Sequence, residues 1–351
     1  IVPDNYSTIQ GALDAASENQ TIYVRAGIYY ENNINWNHSI PGIKLIGEDR
    51  ETTIIDAQNN DRVLVLDGDE NYSLTHTTLI EGFTIRNGYI ADSGGGIYCS
   101  NGQPTLKNLI IENNHANRSG GIHYSANGES DGIPDTVIIN NIIVRNNTAL
   151  WYNPGFYLQG SSNGVSGSYF LLEDSEFSNN YETDNNPSSG GGVDIQLSGY
   201  YIDIKNSVFH NNIARAGAAI RSTATNSPGR VVDCIFYDNS GTNPIGGIIE
   251  IPYLYLINSL VFNNYTANNI EVLFAYNSLI QNDNGMSNLV GNYINCIYEN
   301  PQIEILNDSL NILPSSPCID AGTSFVGDSS FVIYETDDYI GFAPDIGPWE
   351  T

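Results

Sequence analysis

Apolar residues along this chain come in short alternating runs, and eight of these runs belong to one repeat. Each copy starts at an Asn-type residue and has an apolar residue three positions later. The copies start at Gly82, Asn108, Asn141, Asp174, Asn206, Asp233, Asn258 and Asn277. The apolar positions are Ile85, Ile111, Val144, Phe177, Phe209, Phe236, Val261 and Ile280. Because the copies recur every 20 to 33 residues or so, we predict a solenoid in which these apolar positions form one core file.

Each repeat reads as a strand, a tight bend, a second strand and a third strand that begins with glycine. Asn and Asp suit the bends because they tolerate left-handed backbone angles. Glycine-led strands include Gly94-Gly95-Gly96-Ile97, Gly190-Gly191-Gly192-Val193 and Gly217-Ala218-Ala219-Ile220. We therefore predict an all-β fold, a right-handed parallel β-helix with about ten or more coils of three short strands.

The residue before each core position is also mostly apolar. The apolar members of this second file are Ile110, Ile143, Val208, Ile235, Leu260 and Leu279. Neighbouring residues of a strand point to opposite faces, so both files cannot face inward. Either the bend resets the register, or one flank carries an exposed apolar ridge suited to a partner.

The repetition indicates a single domain over residues 1–351. At the start, Ser7 is a candidate N-cap, and Ile9, Ala12, Leu13 and Ala16 fall on one helical stripe. A short helix here would cover the open end of the solenoid core. We expect this cap in residues 1–20, irregular first coils in 21–78, regular repeats in 79–297, and a C-terminal coil and cap in 298–351.

The formal charge of −28 and the isoelectric point near 4.1 narrow the range of partners. Nucleic acid is excluded as a partner, since so few cations cannot neutralise its phosphates. The same charge would repel anionic polysaccharides unless bound cations intervene. No apolar run approaches the roughly 18 to 20 residues of a membrane-spanning helix.

Asparagines at the corners of the repeat are candidates for a structural ladder. Stacked amide side chains can bond to neighbouring coils and satisfy buried backbone groups. The ladder residues are Asn108, Asn141, Asn206, Asn258, Asn277, Asn113, Asn146, Asn179, Asn211 and Asn263. A role as ligands for a bound molecule is the less favoured interpretation.

Two further features are candidate covalent or metal sites. Cys296 and Cys318 lie about one coil apart, so they could stack on adjacent coils and form a disulfide, although a buried thiol is an equally good interpretation. Asp67, Asp69 and Asn71 alternate like the oxygen ligands of a calcium loop, but a solvated acidic turn explains them as well. No cofactor is required by the sequence, and Ca²⁺ is the candidate ion.

Three repeat segments carry a resemblance to known proteins: Phe177-Ser178-Asn179-Asn180, Phe209-His210-Asn211-Asn212 and Phe236-Tyr237-Asp238-Asn239. With the glycine-led strands, they resemble the FxxN and GGA(I/L/V) repeats of chlamydial polymorphic outer-membrane proteins and of bacterial extracellular β-helix proteins. The N-terminal coils are similar to those of pectinesterase-like proteins. The resemblance implies a right-handed β-helix outside the cell, and it leaves the activity open, because this scaffold hosts many functions.

No set of residues converges on one catalytic chemistry. Polysaccharide lyases of this scaffold resemble one another in using a Lys or Arg base, but Lys107 and Lys205 occupy a solvated repeat position. Carboxylates that could pair across coils as in a glycosidase are Glu173, Asp174 and Glu176 with Asp203, and Asp233 with Asp238. Tyrosines that could stack on sugars, or pack against a sister molecule, are Tyr152, Tyr157, Tyr200, Tyr201, Tyr253 and Tyr255.

The leading hypothesis from the sequence is therefore a secreted or cell-surface β-helix with a non-catalytic structural or adhesive role. Its expected partners are other copies of itself, since exposed strand edges at the solenoid ends allow stacking, or surface glycans. The alternatives are a carbohydrate-active enzyme, either a polysaccharide lyase or a glycoside hydrolase, and a glycan-binding module.

Overall fold

A computed structural model gives the architecture of the chain. It describes residues 1–36, 39–68, 74–127, 133–162, 164–183, 190–224, 226–242, 247–265, 270–281, 289–306, 309–328, 331–336 and 344–347.

The chain begins with one short helix and continues as strands. In the first coils the elements are α1 (Ile9–Asp14), β1 (Thr21–Val24), β2 (Gly27–Tyr29), β3 (Ile34–Asn35), β4 (Lys44–Gly47), β5 (Thr53–Asp56) and β6 (Leu64–Asp67). The middle coils contain β7 (Leu79–Arg86), β8 (Tyr89–Ser93), β9 (Ile97–Ser100), β10 (Thr105–Glu112), β11 (His115–Arg118), β12 (Ile122–Asn127), β13 (Thr136–Arg145), β14 (Thr148–Tyr152), β15 (Phe156–Ser161), β16 (Tyr169–Glu173), β17 (Glu176–Ser178), β18 (Tyr181–Glu182) and β19 (Val193–Ser198). They continue with β20 (Tyr201–Lys205), β21 (Val208–His210), β22 (Ile213–Ala214), β23 (Ile220–Ser222), β24 (Gly229–Val232), β25 (Ile235–Tyr237), β26 (Ser240–Gly241), β27 (Ile249–Ile257), β28 (Leu260–Phe262), β29 (Ile270–Tyr276), β30 (Leu279–Ile280) and β31 (Leu289–Ile294). The last strands are β32 (Ile303–Leu306), β33 (Ser309–Ile312), β34 (Phe325–Asp328) and β35 (Phe331–Glu335).

Strands of successive coils pair in parallel, so the predicted right-handed parallel β-helix is confirmed. Hydrogen bonds join 25 strands into one sheet that winds around the axis. We divide it into three faces: face 1 (β1, β4, β16, β20, β24), face 2 (β2, β5, β17, β21, β25, β28, β30) and face 3 (β3, β6, β9, β12, β15, β19, β23). The long strands β7, β10 and β13 run through faces 1 and 2, while β27, β29 and β31 run from face 3 into face 1.

The middle coils contain a fourth short strand that the sequence analysis did not predict. Strands β8, β11, β14, β18, β22 and β26 lie between faces 2 and 3 and form a separate six-stranded sheet. Each pairs with the equivalent strand of the next coil through only a few residues. Its inward residues include Ala116, Ala149 and Ala214, which are buried but too small to give a strong apolar pattern in the sequence.

The predicted core file is confirmed. All eight residues three positions after the repeat start are buried. On face 2 they are register partners, and the rings of Phe177, Phe209 and Phe236 stack at centroid distances of 5.2 and 4.9 Å. A file of aromatic side chains in parallel register thus fills the centre of the solenoid.

The second apolar file faces outward, although the bend shifts the alternation: Ile139 and Ile142, three positions apart across Asn141, are both buried. Residues one and three positions after the bend are buried in the core, and the residue between them points away from it. In the last coils the resulting apolar ridge is covered by the chain itself: Ile235, Leu260 and Leu279 pack against Cys318 and Ile346. This intramolecular cover takes the place of the partner that the sequence analysis considered.

The C-terminal region forms two antiparallel hairpins, β32–β33 and β34–β35, where the sequence analysis expected a further coil. Val326 and Tyr334 of the second hairpin pack on Val232 and Ile257 of face 1. At the other end, α1 buries Ile9, Ala12 and Leu13 and covers the core as expected. Its N-cap is Thr8, whose hydroxyl accepts from the backbone N–H of Gly11, and not Ser7.

The residues chosen for the asparagine ladder form the bends of the solenoid. Asn108, Asn113, Asn141, Asn146, Asn179, Asn206, Asn211, Asn258, Asn263 and Asn277 all have φ between 44° and 56°. Some bond across coils, as Asn141 does to Asn108 at 3.3 Å. The longest continuous file, however, is made by the next residue of each Asn-Asn corner: Asn114, Asn147, Asn180, Asn212, Asn239 and Asn264. In this file each amide Nδ2 donates to the Oδ1 of the next coil at 3.0 to 3.1 Å.

Candidate functional site

The outward side chains of face 3 form a row that changes from aromatic to ionisable along the axis. Its members are Tyr98, His123, Tyr157, Asp194, Arg221, Glu250 and Glu271, each the register partner of the next. We call them the face 3 row. Because parallel strands lie ~4.8 Å apart, successive members are spaced at that interval along the solenoid.

The first half of the row is an aromatic surface. The rings of Tyr98 and His123 stack at a centroid distance of 5.2 Å, and Tyr157 follows at 5.3 Å from His123. The guanidinium of Arg62 lies 4.6 Å from the centre of the Tyr98 ring. Burial lowers the pKa of His123 to about 4, so the imidazole is neutral at neutral pH and belongs with the aromatic rings.

Asp194 stands at the centre of the row and is an unusual carboxylate. Only 1% of it is exposed. Its Oδ2 lies 3.3 Å from Nη1 of Arg221, and Oδ1 is fully buried without a hydrogen bond of normal geometry from a described residue. Burial raises the pKa of Asp194 to about 6, and Arg221, Gln196 and the backbone N–H of Gly190 oppose the shift only in part. The carboxyl group therefore changes its protonation near pH 6.

The second half of the row is a chain of charged groups. Nε of Arg221 lies 3.6 Å from Oε2 of Glu250, so the guanidinium bridges the carboxylates of Asp194 and Glu250. The backbone N–H of Gly247 donates to Oε1 of Glu250 at 2.6 Å. Glu271 follows on the next strand, as the register partner of Glu250.

The turns before two of the face 3 strands contain glycine and lie directly over side chains of the face 3 row. Gly190 and Gly217 each precede a row residue by four positions. A Cβ added at Gly190 would lie 2.8 Å from Cβ of Asp194, and one added at Gly217 would lie 2.5 Å from Cβ of Arg221. Because glycine has no side chain, the turn before a face 3 strand can pack directly on the polar side chain of the row and bury it.

An open cleft runs along the row. A cavity of about 480 Å³ is lined by Arg118, Tyr152, Tyr157, Asp194 and Gln196 among others, and a second of about 240 Å³ by Glu250, Tyr253 and Glu271 among others. Arg221 and Thr223 line both cavities, so the two adjoin, and together we call them the face 3 cleft. At its edge Arg118 packs over the rings of Trp151 and Tyr152 and makes no ion pair with a described residue.

The carboxylate of Asp203 on face 1 resembles that of Asp194 in its burial and its arginine partner, but its contacts indicate a structural role. Asp203 is also buried and also faces an arginine of the next coil, but Arg230 binds it through two nitrogens, at 2.9 and 3.1 Å. Tyr169 Oη donates a further hydrogen bond at 2.8 Å, and Arg230 also donates to the backbone oxygen of Ile333 in the C-terminal hairpin. Asp203 is held by both Arg230 and Tyr169 and is covered by the hairpin, whereas Asp194 pairs with Arg221 through one oxygen and lines a cleft.

The other candidate catalytic residues do not gather at this cleft. Lys107 lies 3.7 Å from Glu81, and Lys205 lies 2.9 Å from Glu173, both as ion pairs on face 1. Glu176 pairs with His210 on face 2 at 3.2 Å, and the hydrogen bond from His210 lowers the pKa of Glu176. Of the candidate tyrosines, Tyr152, Tyr157 and Tyr253 line the cleft, Tyr200 is buried, and Tyr201 and Tyr255 lie on face 1.

Sequence reasoning missed the ionisable half of the row: Asp194, Arg221, Glu250 and Glu271. The signal was present, because in several glycine-led strands the row member is the second residue after the last small residue, as in Gly192-Val193-Asp194 and Ala219-Ile220-Arg221. Aligning the repeats on the glycine-led strand, instead of on the asparagine bend, would have placed these side chains in file.

The candidate calcium loop falls largely outside the described residues. Asp69 and Asn71 are not described, and Asp67 lies at the exposed end of β6. Elsewhere in the described chain no group of three or more His, Cys, Asp or Glu side chains is arranged to hold a metal ion. Calcium binding at Asp67, Asp69 and Asn71 therefore stays a prediction.

All four cysteines are free thiols, so the candidate Cys296–Cys318 disulfide is not formed. Cys318 is buried under the C-terminal segment beside Leu260 and Ile346, whereas Cys296 packs at the edge of the main core. The spacing suggested stacking on adjacent coils, but the chain leaves the regular solenoid before Cys318. Among the described residues there is also no helix long and apolar enough to span a membrane.

Comparison with solved structures finds chains of similar fold. The chain is similar to the crystal structure of pectate lyase Pel9A with a TM-score of 0.51, at 13% sequence identity, over 97% of this chain and 90% of that chain. Neither the protein-family models nor the curated proteins give a match. The likeness shows the β-helix fold, while the finer resemblance to chlamydial repeat proteins has no support from a family model.

This comparison contradicts the leading hypothesis from the sequence. A non-catalytic structural or adhesive role was favoured because no catalytic set could be found in the repeats. A solved structure that shares the fold over nearly the whole chain is that of a pectate lyase, and face 3 carries a cleft with ionisable groups that the repeat alignment did not reveal. The structural or adhesive hypothesis is therefore set aside as wrong.

Proposed function

We propose that this chain is a carbohydrate-active enzyme that binds a polysaccharide along the face 3 cleft and cleaves it there. The observation that carries the proposal is the face 3 row, in which aromatic rings lead to a buried carboxylate paired with an arginine and to two further carboxylates in the face 3 cleft. The shared fold with a pectate lyase supports the same class of activity.

The spacing of the row suits an extended polymer. One strand follows the next at ~4.8 Å, so a chain that lies along the axis meets a new side chain at regular steps. Tyr157 and the exposed Tyr253 offer flat apolar faces to sugar rings. Asp194, Gln196 and Arg118 offer the hydrogen-bonding groups that recognise sugar hydroxyls.

The charge of the protein limits the substrate. A formal charge of −28 repels polyanions at long range, so a neutral polysaccharide, or an acidic one screened by cations, is the substrate class we propose. Because polymers cannot cross a membrane, the proposal includes a location outside the cell.

The test is incubation of the full chain with a panel of neutral and acidic polysaccharides, with and without Ca²⁺. New reducing ends report any cleavage, and the ultraviolet absorbance of an unsaturated sugar reports elimination. We expect new chain ends from at least one polymer. We also expect Tyr157→Ala to weaken binding of that polymer about tenfold, the effect of losing ~1.4 kcal/mol of contact energy.

A second test compares the variant Asp194→Asn with a matched control, Asp203→Asn. Both remove the charge of a buried aspartate that faces an arginine, but only Asp194 lines the cleft. We expect Asp203→Asn to lose stability and keep its activity, and Asp194→Asn to lose activity. Binding without any product from the panel would make the protein a glycan-binding module and overturn the proposal.

A further inference from the structure

A second outward row follows the short fourth sheet between faces 2 and 3, and much of it is exposed and aromatic. Each member is the register partner of the next along the axis. The members, which we call the fourth-sheet row, are Tyr89, His115, Thr148, Tyr181, Ile213, Ser240 and Tyr265. Its tyrosines and its isoleucine are 40% to 59% exposed, whereas the outward apolar residues of face 2 in the last coils are covered by the C-terminal segment. Exposed apolar side chains gathered in one file mark an interaction surface.

The three tyrosines of the row are evenly spaced. Two coils lie between Tyr89 and Tyr181, and two lie between Tyr181 and Tyr265. Neighbouring tyrosines are therefore about 14 Å apart along the axis, at ~4.8 Å per coil. The ring of His115 stacks on Tyr89 at a centroid distance of 4.9 Å and enlarges the first aromatic platform. Flat rings at a regular interval along a straight line suit an extended chain of repeating rings, which is the shape of a polysaccharide.

Amide groups lie beside the row. The bend residue two positions before each row member is asparagine in six coils and Asp238 in the seventh. Three successive bend residues, Asn113, Asn146 and Asn179, are exposed, and their side chains make no hydrogen bond with a described residue. They are free because the inter-coil ladder is made by the asparagine that follows each of them. An amide offers donors and an acceptor together, which is what the hydroxyl groups of a sugar need.

The fourth-sheet row adjoins the face 3 cleft through two strands. Strand β11 begins at His115 and ends at Arg118, and β14 begins at Thr148 and ends at Tyr152. Arg118 and Tyr152 line the cleft, so the row lies about 10 to 13 Å from its edge at ~3.3 Å per residue. The ring of Trp151, over which Arg118 packs, lies on β14 between the two surfaces. Both surfaces run along the solenoid axis, side by side.

We propose that the fourth-sheet row is a second polysaccharide-binding surface, which holds an uncharged polymer beside the face 3 cleft. The occupant follows from the chemistry of the row, which offers platforms for sugar rings, amides for hydroxyl groups, and Asp238 as the one acidic residue among the row members and their bends. A polyanion is disfavoured by the formal charge of −28. The inference goes beyond the proposed function, because no member of the row lines the cleft and the row binds the polymer whether or not the cleft cleaves it.

The test measures binding of the full chain to xylan, mannan and amylose by affinity electrophoresis, and to cellulose by pull-down. The chain carries Asp194→Asn, so that the polymer stays intact. The row variant adds three substitutions: Tyr89→Ala, Tyr181→Ala and Tyr265→Ala. The matched control instead replaces three exposed tyrosines of the first coils: Tyr6→Ala, Tyr23→Ala and Tyr30→Ala. We expect the row variant to lose at least about tenfold in affinity for the polymer that the parent chain binds, and the control to lose none.

The amides are tested with aspartate, which keeps the bends intact. Asp174, Asp233 and Asp238 adopt the same left-handed angles in other bends of this chain, so the backbone tolerates the exchange. Aspartate removes the amide donors and adds charge. We expect a variant with three substitutions to bind the polymer more weakly than the parent chain does: Asn113→Asp, Asn146→Asp and Asn179→Asp. Unchanged binding of this variant would remove the amides from the proposed surface.

Kinetics with Asp194 restored separate the row from the cleft. The row variant should keep its kcat on a short oligosaccharide and show a higher KM for the polymer, because the row supplies only local concentration. Binding through the row without cleavage would support the inference and contradict the proposed function. A row variant that binds every polymer as tightly as the control, or a parent chain that binds none of the four, would overturn the inference. A dimer seen by light scattering and lost only in the row variant would also overturn it, since the row would then be a contact between copies.

Discussion

Replacing Asn180 with alanine should destabilise the solenoid strongly, because its side chain connects three coils. Its Oδ1 accepts from the backbone N–H and from Nδ2 of Asn147, both at 3.1 Å. Its Nδ2 donates to the backbone oxygen of Val144 at 2.9 Å and to Oδ1 of Asn212 at 3.0 Å. Alanine leaves two donors of Asn147 and the oxygen of Val144 without this partner, and all of them lie in the buried part of the ladder.

A buried polar group that loses its hydrogen bond costs about 1 to 3 kcal/mol, so the expected loss in the free energy of unfolding is about 3 kcal/mol or more. Urea denaturation followed by circular dichroism measures it. Asn179→Ala is the control: Asn179 is exposed and has φ of 53°, so alanine there should cost only about 1 to 2 kcal/mol of backbone strain. A cost for Asn180→Ala no larger than for Asn179→Ala would refute the role of the second asparagine as the inter-coil ladder.

Three further predictions concern pH, the aromatic file and the thiols. Burial raises the pKa of Asp194 to about 6, above the ~3.9 of an unfolded chain, so the folded state binds its proton more tightly. The resulting stabilisation is complete below about pH 4 and decreases by roughly 3 kcal/mol as the pH rises through 6. Urea midpoints measured across this range should show this loss of stability in the wild type and not in Asp194→Asn. Phe209→Ala should cost about 3 to 5 kcal/mol in urea unfolding, since the buried ring stacks on both neighbours, and a cost below that of a surface change would contradict the core file. Added reductant should leave the thermal midpoint unchanged, because Cys296 and Cys318 are free, and a drop would reveal a disulfide.

The fold could be predicted from the sequence because one feature repeats in every coil. An Asn or Asp bend with an apolar residue three positions later, as in Asn206 and Phe209, specifies a turn and an inward side chain together. Because this unit recurs at intervals of about one coil, the strands of successive coils are expected to stack in parallel. The two C-terminal hairpins could not be predicted in this way, because each occurs once and its packing depends on tertiary contacts, such as those of the second hairpin with Val232 and Ile257.

The site could be predicted only in its aromatic part. Tyr152, Tyr157 and Tyr253 stood out as residues that stack on sugars, and the structure places all three at the cleft. Asp194 and Glu250 could not be told apart from the other acidic residues of a strongly acidic chain. Their significance comes from burial under a glycine turn and from an arginine shared across coils, and both depend on which strands become neighbours.

The most direct test of the account is a structure of the full chain, as the Asp194→Asn variant that we expect to be inactive, with an oligosaccharide cut from the polymer that the wild type degrades. We predict that the sugar chain lies along the solenoid axis in the face 3 cleft, in contact with Tyr157 and Tyr253. An oligosaccharide bound on face 1 or face 2, with the face 3 cleft empty, would contradict it.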